Sequence, residues 1–346
     1  MKKLLMAIGL SMAVVMAVCP AFAINGDDFH ARGVGCGYAS GATAPPGLYF
    51  IDDSFFVPSW VGHVGSQSNP NVKVFTYLNL PIMVWVPGCK ILGADYSTSF
   101  TEPILYQNIR VKTGSSLSIY GAQQPVATPT WFSGETWGTY NTVWSPIELG
   151  WKLPCNFFVK AGFAIGFDDA WNSDRNSIAS LNGISGGLRN AISKTDGGVY
   201  PWIGQADWMF VPTLGISYLY QGWNISAGMG WVFYTKDNAT DYQNADQFFG
   251  DYTITYTCGK WTMGLIGESS AQAGKDKANF GTGYQSQPGT QAENYGMGPF
   301  IGYNFGPCAV HFWYEFELET RNQAGGNWFG FRIIVPLGNP FPIFGK

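Results

Sequence analysis

Residues 223–233 read WNISAGMGWVF, and this stretch decides the fold. Taken in steps of two, one set of positions is apolar throughout: Trp223, Ile225, Ala227, Met229, Trp231 and Phe233. The alternate positions are small or polar except for the last: Asn224, Ser226, Gly228, Gly230 and Val232. Because successive side chains of a strand point to opposite faces, the stretch predicts a β-strand with one apolar face and one small or polar face.

The same alternation recurs in 157–167, 248–256 and 309–319. A tilted strand that crosses a membrane needs about 9–11 residues, which these stretches supply. A soluble β-sandwich also alternates. However, the apolar face is rich in Trp, Tyr and Phe near the strand ends, as interfacial girdles require, and the opposite face is rich in Gly and Ser. We therefore expect an all-β transmembrane antiparallel barrel, since a sheet in lipid has to close on itself.

The composition excludes other classes. The charged fraction is 12%, against roughly 25% in soluble domains, and aromatic residues reach 16%. Disordered chains have high charge and few aromatics. The one long unbroken apolar run lies at the N-terminus, so a bundle of transmembrane helices is not expected either.

The N-terminal run predicts a cleaved signal peptide over 1–23. Lys2 and Lys3 precede the apolar stretch 4–18, and Ala21-Phe22-Ala23 has the small-x-small cleavage pattern. A lipoprotein site at Cys19 is disfavoured by the Val that precedes it. The mature chain from Ile24 has 17 Lys and Arg against 23 Asp and Glu, a formal charge of −6. We expect an exported protein that does not bind nucleic acid.

Short turns and long polar connections alternate along the mature chain, as periplasmic turns and extracellular loops do. The long connections are 59–70, 113–138, 168–202, 236–245, 273–292 and 321–326. The twelve predicted strands are 47–58, 71–86, 90–112, 139–151, 155–167, 203–219, 222–235, 246–257, 260–272, 293–305, 308–320 and 327–337. The barrel thus covers 47–337, after a flexible segment 24–46 and before a tail 338–346. The segment 24–46 either plugs the lumen or trails in the periplasm, and its entry from the periplasmic side favours the plug.

Catalysis and metal binding are not expected. Of His30, His63 and His311, only the last lies in a predicted strand, and no serine lies within two residues of it. Nucleophilic catalysis needs a base within reach of its nucleophile. The histidines and cysteines lack the short spacings of a metal site. No catalytic residue, metal or cofactor is therefore predicted.

A set of charged and aromatic residues falls on the small or polar phase of the strands and is predicted to line the lumen. The set is Asp52, Lys73, Asp95, Glu148, Lys160, Asp251, Lys260, Glu268, His311, Trp313, Glu315, Glu317 and Arg332. Opposite charges could pair across a filled interior, or they could line a conduit and select solutes. Pairing is the favoured interpretation for most of them, with Glu315, Glu317 and Arg332 as the strongest candidates.

Four of the five mature cysteines fall at the short turns, on one periplasmic rim where oxidation is favoured. They define two candidate disulfides, Cys89–Cys155 and Cys258–Cys308. In each pair the cysteines flank two strands, about 9–10 Å apart, and a disulfide tolerates roughly 7 Å between Cα atoms. The turns would have to lean together, so unbonded thiols are the alternative.

Several stretches resemble the MetA-pathway phenol-degradation family of outer-membrane β-barrel proteins. They include APPGLYF at 44–50, KILGADY at 90–96, PIELGW at 146–151, GWNISA at 222–227 and the ETR that ends at Arg321. The resemblance extends from about residue 44 over nearly the whole mature chain. It implies a barrel in the outer membrane of a Gram-negative bacterium that helps hydrophobic or aromatic compounds to cross. Members end on an aromatic residue in the last strand, whereas this chain continues through Asn339-Pro340 to Lys346.

The function expected from these features is passive uptake of small hydrophobic or aromatic compounds. Expected partners are outer-membrane lipid, such a solute and the outer-membrane assembly machinery. The alternative is a closed structural or surface-recognition barrel without transport activity, whose loops at 113–138 and 168–202 contact other molecules. Twelve strands give a lumen between the filled eight-stranded barrel and the wide porins, so a general diffusion pore is not expected.

Overall fold

The computed structural model describes residues 30–61, 71–112, 117–119, 122–124, 131–172, 207–236, 242–275, 277–279, 284–286, 292–321 and 324–338. The predicted signal peptide 1–23 and residues 339–346 of the predicted tail lie outside these ranges. Within them, no helix has the length and apolar character needed to cross a bilayer.

Twelve antiparallel strands, β1 to β12, form the wall of the molecule. Their bounds are β1 Gly47–Val61, β2 Asn71–Val86, β3 Ala94–Thr101 with Ile104–Lys112, β4 Trp131–Thr139 with Val143–Lys152, β5 Phe157–Gly166, β6 Met209–Tyr220, β7 Trp223–Tyr234, β8 Gln247–Cys258, β9 Trp261–Gln272, β10 Glu293–Asn304, β11 Ala309–Arg321 and β12 Trp328–Gly338. Smaller elements are the strands Lys90–Ile91, Leu117–Ile119, Ala122–Gln124, Trp171–Asn172, Tyr242–Gln243, Lys277–Asn279, Tyr284–Ser286 and Ala324–Gly325, and the 3-10 helix Pro154–Asn156.

Each strand pairs with its neighbours in sequence, and the last strand pairs with the first. The closing register sets Asp53 of β1 opposite Arg332 of β12, and Phe56 opposite Phe329. Every edge is therefore paired, as a sheet in lipid requires. The prediction of a closed barrel of about twelve strands is confirmed.

β3 and β4 are each interrupted near their middle. β3 breaks at Glu102 and Pro103, since proline has no N–H to donate to the ladder, and the Tyr140 N–H donates to the Pro103 carbonyl at 2.9 Å. β4 breaks at 140–142, where the Thr142 hydroxyl donates to the Glu102 carboxylate. The first part of β4 is Trp131–Thr139, which precedes this break in the sequence. The predicted connection 113–138 was therefore wrong over residues 131–138.

The short turns lie together at one end of the barrel. Gly88, Gly222, Gly259 and Gly306 have φ between 60° and 103° there, the left-handed region that glycine adopts without strain. Aromatic pairs flank this end on the outer surface: Trp223 with Tyr256 at 5.1 Å, and Trp261 with Tyr303 at 4.6 Å between ring centroids. Such a belt is typical of a membrane interface.

The outer face of the barrel is apolar and exposed, whereas the inner face has polar or small side chains, or apolar side chains that are buried. In β7, Trp223 and Phe233 are about half exposed, whereas Ser226, Gly230 and Val232 are buried. Leu265 and Met263 of β9 are likewise exposed on the outside. Bare apolar surface of this extent belongs in hydrocarbon. The alternation that the sequence shows is thus a division between lipid and interior.

Candidate functional site: the barrel lumen

Residues 30–46 pass through the interior of the barrel. The Gly41 N–H donates to the Ser217 hydroxyl of β6 at 2.7 Å, and the Gly37 N–H donates to the Thr253 hydroxyl of β8 at 2.9 Å. A side chain at position 41 would overlap the backbone of β5 and β6, so only glycine fits there. The segment therefore lies in close contact with the inner face of β5, β6 and β8.

Arg332 of β12 holds the middle of this segment against the wall. Its guanidinium donates to both Asp53 carboxylate oxygens at 2.6 and 2.8 Å, and to the carbonyls of Cys36 and Val34 at 2.7 and 2.6 Å. The group also lies over the ring of Tyr38, 3.8 Å from its centroid. Arg332 and Asp53 are both fully buried. A bidentate pair with extra acceptors is the geometry in which a buried ion pair is satisfied.

Arg32 of the segment reaches acidic side chains of β9 and β11. Its guanidinium lies 4.0 Å from the Glu268 carboxylate of β9 and 3.8 Å from that of Glu317 of β11, and 5.3 Å over the ring of Trp328. Opposite charges that are this deeply buried attract more strongly than they would in water. These ion pairs therefore join the N-terminal segment to the barrel wall.

His30 lies against the wall formed by β7 and β8. Its ring stacks on Phe249, with centroids 3.9 Å apart and planes inclined by 12°. Its Nε2 lies 2.7 Å from Asp251 Oδ2. Phe249 in turn belongs to a cluster of inward apolar side chains: Ala164, Met209, Val211, Val232 and Tyr234. An aromatic ring is therefore held between an apolar wall and a carboxylate.

Cys36 is fully buried at the centre of the segment. Its Sγ lies 3.3 Å from the Gly267 carbonyl and 3.8 Å from Asp251 Oδ1. Burial raises the pKa of the Cys36 thiol well above its usual value, and the nearby carboxylate of Asp251 raises the pKa further. The thiol is therefore protonated at neutral pH and a poor nucleophile.

A second apolar cluster joins inward side chains of the strands to Ala31 and Cys36 of the segment. Phe55 meets Trp313 edge-on, with centroids 5.5 Å apart, and Phe300 stacks near Trp313 at 6.4 Å. Trp313 lies across Gly330 of β12, where any side chain would overlap the indole. The lumen is thus lined by aromatic as well as charged side chains.

Most of the predicted lumen set lies on the inner face. The strand register places there Asp95, Glu148, Lys160, Asp251, Glu268, His311, Trp313, Glu315, Glu317 and Arg332. Glu148 lies 3.5 Å from Lys160 and accepts from the Ser97 hydroxyl at 3.0 Å. Asp95 lies near the periplasmic end, 2.6 Å from Lys90. The ring of His311 meets Phe300 edge-on at 5.0 Å.

Three predicted lumen residues lie elsewhere. Asp52 is on the outer face, where Asn79 donates to it at 2.8 Å, and Lys73 is on the outer phase of β2. Lys260 is in the exposed turn between β8 and β9. The first two were misplaced because the inner phases of β1 and β2 are apolar: Phe55, Val57, Leu78 and Leu80 fill the interior. The phase of smaller or polar residues is not always the inner one.

The predicted pairing among Glu315, Glu317 and Arg332 is also corrected. Arg332 pairs with Asp53, and Glu317 lies near Arg32. Asp53, Arg32 and His30 were the functional candidates that the sequence analysis missed. For His30 and Arg32, the available signal was their position two residues apart in a glycine-rich segment. For Asp53, it was an acidic side chain next to Asp52, on the alternate phase of the same strand.

The candidate disulfides are not formed in the structure. Cys89, Cys155, Cys258 and Cys308 are free thiols, and so is Cys36. The side chains of Cys155 and Cys258 are exposed at the short-turn end. Among the residues with described placement, no group of His, Cys, Asp and Glu is arranged to hold a metal ion.

A closed ring of twelve strands with an apolar outer face, an interfacial aromatic belt and a charged, segment-filled interior defines an outer-membrane β-barrel. Residues 61–333 match the family described as "Putative MetA-pathway of phenol degradation". The chain belongs to this family, as the resemblance noted in its sequence predicts.

Solved structures share the architecture at low sequence identity. An outer membrane channel from Pseudomonas putida F1 is 10% identical with a TM-score of 0.57, over 85% of this chain and 97% of that chain. The toluene transporter TbuX from Ralstonia pickettii is 10% identical with a TM-score of 0.36, over 85% of this chain and 90% of that chain. No curated protein sequence matches the chain.

Proposed function

We propose that the protein is a channel for passive uptake of small hydrophobic or aromatic compounds across the outer membrane of a Gram-negative bacterium. The observation that carries the proposal is the lumen, where a closed membrane barrel presents inward aromatic clusters around Trp313 and Phe249. Aromatic side chains on the inner face can stack on an aromatic solute. Membership of the family and a barrel shared with an outer membrane channel support the same function.

In this proposal residues 24–46 act as a plug that restricts the conduit. Support comes from the buried contacts of Arg332, Arg32 and His30, which join the segment to β12, β9 and β8. The charged residues on the inner face hold the plug and line the path around it. The assembly machinery of the outer membrane and lipid are the other partners, and catalysis has no part in the proposal.

Uptake by whole cells tests the proposal. The gene is expressed in a Gram-negative host whose lipopolysaccharide leaflet slows hydrophobic solutes, and entry of radiolabelled aromatic compounds is followed after addition of a metabolic inhibitor. We expect faster entry than in the host with an empty vector, and no dependence on cellular energy. Equal rates in the two strains across a panel of aromatic and aliphatic compounds would exclude the transport function.

The contacts of the same segment favour a second candidate, a closed barrel without transport. Ion pairs that fill the lumen are also what a purely structural plug would form. The uptake assay distinguishes the two candidates, because a closed barrel leaves the rate of entry of aromatic compounds unchanged. In that case the function of the barrel is recognition, with its loops binding a partner outside the cell.

A further inference from the structure

The stacking of His30 on Phe249 is the contact in the lumen that most resembles a bound ligand. The outer edge of the Phe249 ring lies over Gly230 of β7, where a Cβ would overlap Cζ, so a side chain at 230 would displace the ring. His30 covers one face of the Phe249 ring, with the two ring centroids 3.9 Å apart. A planar ring supported in this way is a stacking platform for another planar ring.

His30 also has a polar contact with the barrel wall. His30 Nε2 lies 2.7 Å from Asp251 Oδ2, on the strand that also contains Phe249. The other oxygen of the same carboxylate, Oδ1, faces the Cys36 thiol at 3.8 Å. If His30 left, Oδ2 would lose the ring nitrogen that lies in front of it. An acceptor would then point at the edge of the platform.

We propose that Phe249 and Asp251 form a solute subsite for a small aromatic ring with a hydroxyl group, which His30 occupies in the resting protein. The solute ring takes the place of the imidazole on Phe249, and its hydroxyl donates to Asp251 Oδ2, the oxygen that His30 Nε2 faces in the resting protein. This inference rests on the proposed uptake function and names its substrate class. It also gives the N-terminal segment a role, because a solute has to compete with a residue of the protein itself.

The size and surroundings of the subsite fit a single ring. His30, Phe249 and Asp251 are all buried, so the contact is shielded from water. Met209, Val232 and Tyr234 extend the apolar surface beside Phe249. A ring with a hydroxyl has both features that the imidazole uses, whereas a ring with a methyl group has only the first.

Binding of two fluorinated probes to the complete mature protein tests the subsite. 4-Fluorophenol and 4-fluorotoluene differ in one substituent, and their dissociation constants can be measured by ¹⁹F NMR in detergent with protein-free micelles as the reference. His30→Ala should bind 4-fluorophenol about tenfold more tightly than the wild type, the effect of vacating one aromatic contact. His30→Phe is the matched variant: its ring keeps the platform covered, and binding should stay at or below that of the wild type.

The role of the carboxylate is tested in the His30→Ala background. Asp251→Asn should reduce the preference for 4-fluorophenol over 4-fluorotoluene, because hydrogen bonds to a charged acceptor are stronger than those to an amide. Glu319→Gln removes an exposed carboxylate near the end of β11 and should leave the preference unchanged. Thermal unfolding of each variant shows that it is folded.

Equal affinity of His30→Ala, His30→Phe and the wild type for 4-fluorophenol would overturn the subsite. If cells expressing the wild type nevertheless take up aromatic compounds, the transport function stands and only the subsite is wrong. If no aromatic compound enters those cells, the proposed function itself fails. The two failures are thus separated by two different measurements.

Discussion

Arg332 joins more parts of the molecule than any other side chain described above. It pairs with Asp53 across the seam where β12 meets β1, and it donates to two carbonyls of the N-terminal segment. Its charge is fully buried, so its partners have to replace the hydration that it loses. The same residue therefore contributes both to closure of the barrel and to the position of the segment.

Arg332→Ala should lower the temperature at which the folded barrel loses its heat-resistant mobility on gels. Removing one member of a buried ion pair costs about 3–5 kcal/mol, because the other charge is left without a partner. Arg321→Ala is the control, since Arg321 is exposed and so is Glu319, the carboxylate with which it forms its shortest pair. Equal heat resistance of Arg332→Ala and the wild type would contradict the structural role of the pair.

The position of single residues was only partly predictable. The charged residues of β8, β9 and β11 fall on the inner face because their strands alternate cleanly. Asp52 and Asp53 are adjacent, and polarity alone does not tell which of them faces inward. The choice depends on Phe55 and Val57, which pack against the aromatic cluster inside. The pairing of Asp53 with Arg332 comes from residues almost at opposite ends of the chain, and local sequence holds no sign of it.

The strands themselves were the most predictable feature. The predicted bounds of β7, β8, β9 and β10 agree with the structure to within one residue, because period-two alternation and glycine turns are local properties. The interruption of β3 coincides with Pro103, a local feature of the sequence, whereas the matching break in β4 has no such mark, since 140–142 contains no proline. That break follows from pairing with the interrupted neighbour.

A charged side chain on the lipid-facing side of the barrel should destabilise the folded protein when it lies near the middle of a strand. Leu265→Arg places a cation in the middle of the lipid-facing side of β9 and should destabilise the folded barrel in lipid by about 2–4 kcal/mol. Cys258→Arg, on the outward phase at the short-turn end of β8, is the matched control and should cost about 0–1 kcal/mol. Urea titrations in phospholipid vesicles measure both. A cost for Leu265→Arg no greater than for Cys258→Arg would argue against lipid at that face.

The N-terminal segment can be followed through its cysteine. With a thiol-reactive maleimide, Cys155 and Cys258 should be labelled within minutes in the folded protein and Cys36 should be protected, because it is buried and its pKa is raised. After denaturation without reductant, all five thiols should react. Rapid labelling of Cys36 in the folded state would mean that the segment lies outside the lumen, and fewer than five thiols would indicate a disulfide.

At the scale of the complete barrel, the number of strands sets what can pass. Eight strands leave an interior filled by side chains, and 16–18 leave an aqueous channel. Twelve strands give a lumen that a single chain segment can fill, and residues 30–46 lie in it. The strand count could be read from the sequence, because turns and loops alternate. The path of the segment could not, because it depends on contacts with six or more strands that are distant in sequence.

Single-channel recording in planar bilayers tests the central claim most directly. The claim predicts a small conductance for the complete mature protein and a larger, steadier one for a form that begins at residue 47. It also predicts that an aromatic solute changes the current of the complete protein. Two silent barrels, or two identical currents that aromatic solutes leave unchanged, would contradict the claim that the lumen is a conduit narrowed by its own N-terminal segment.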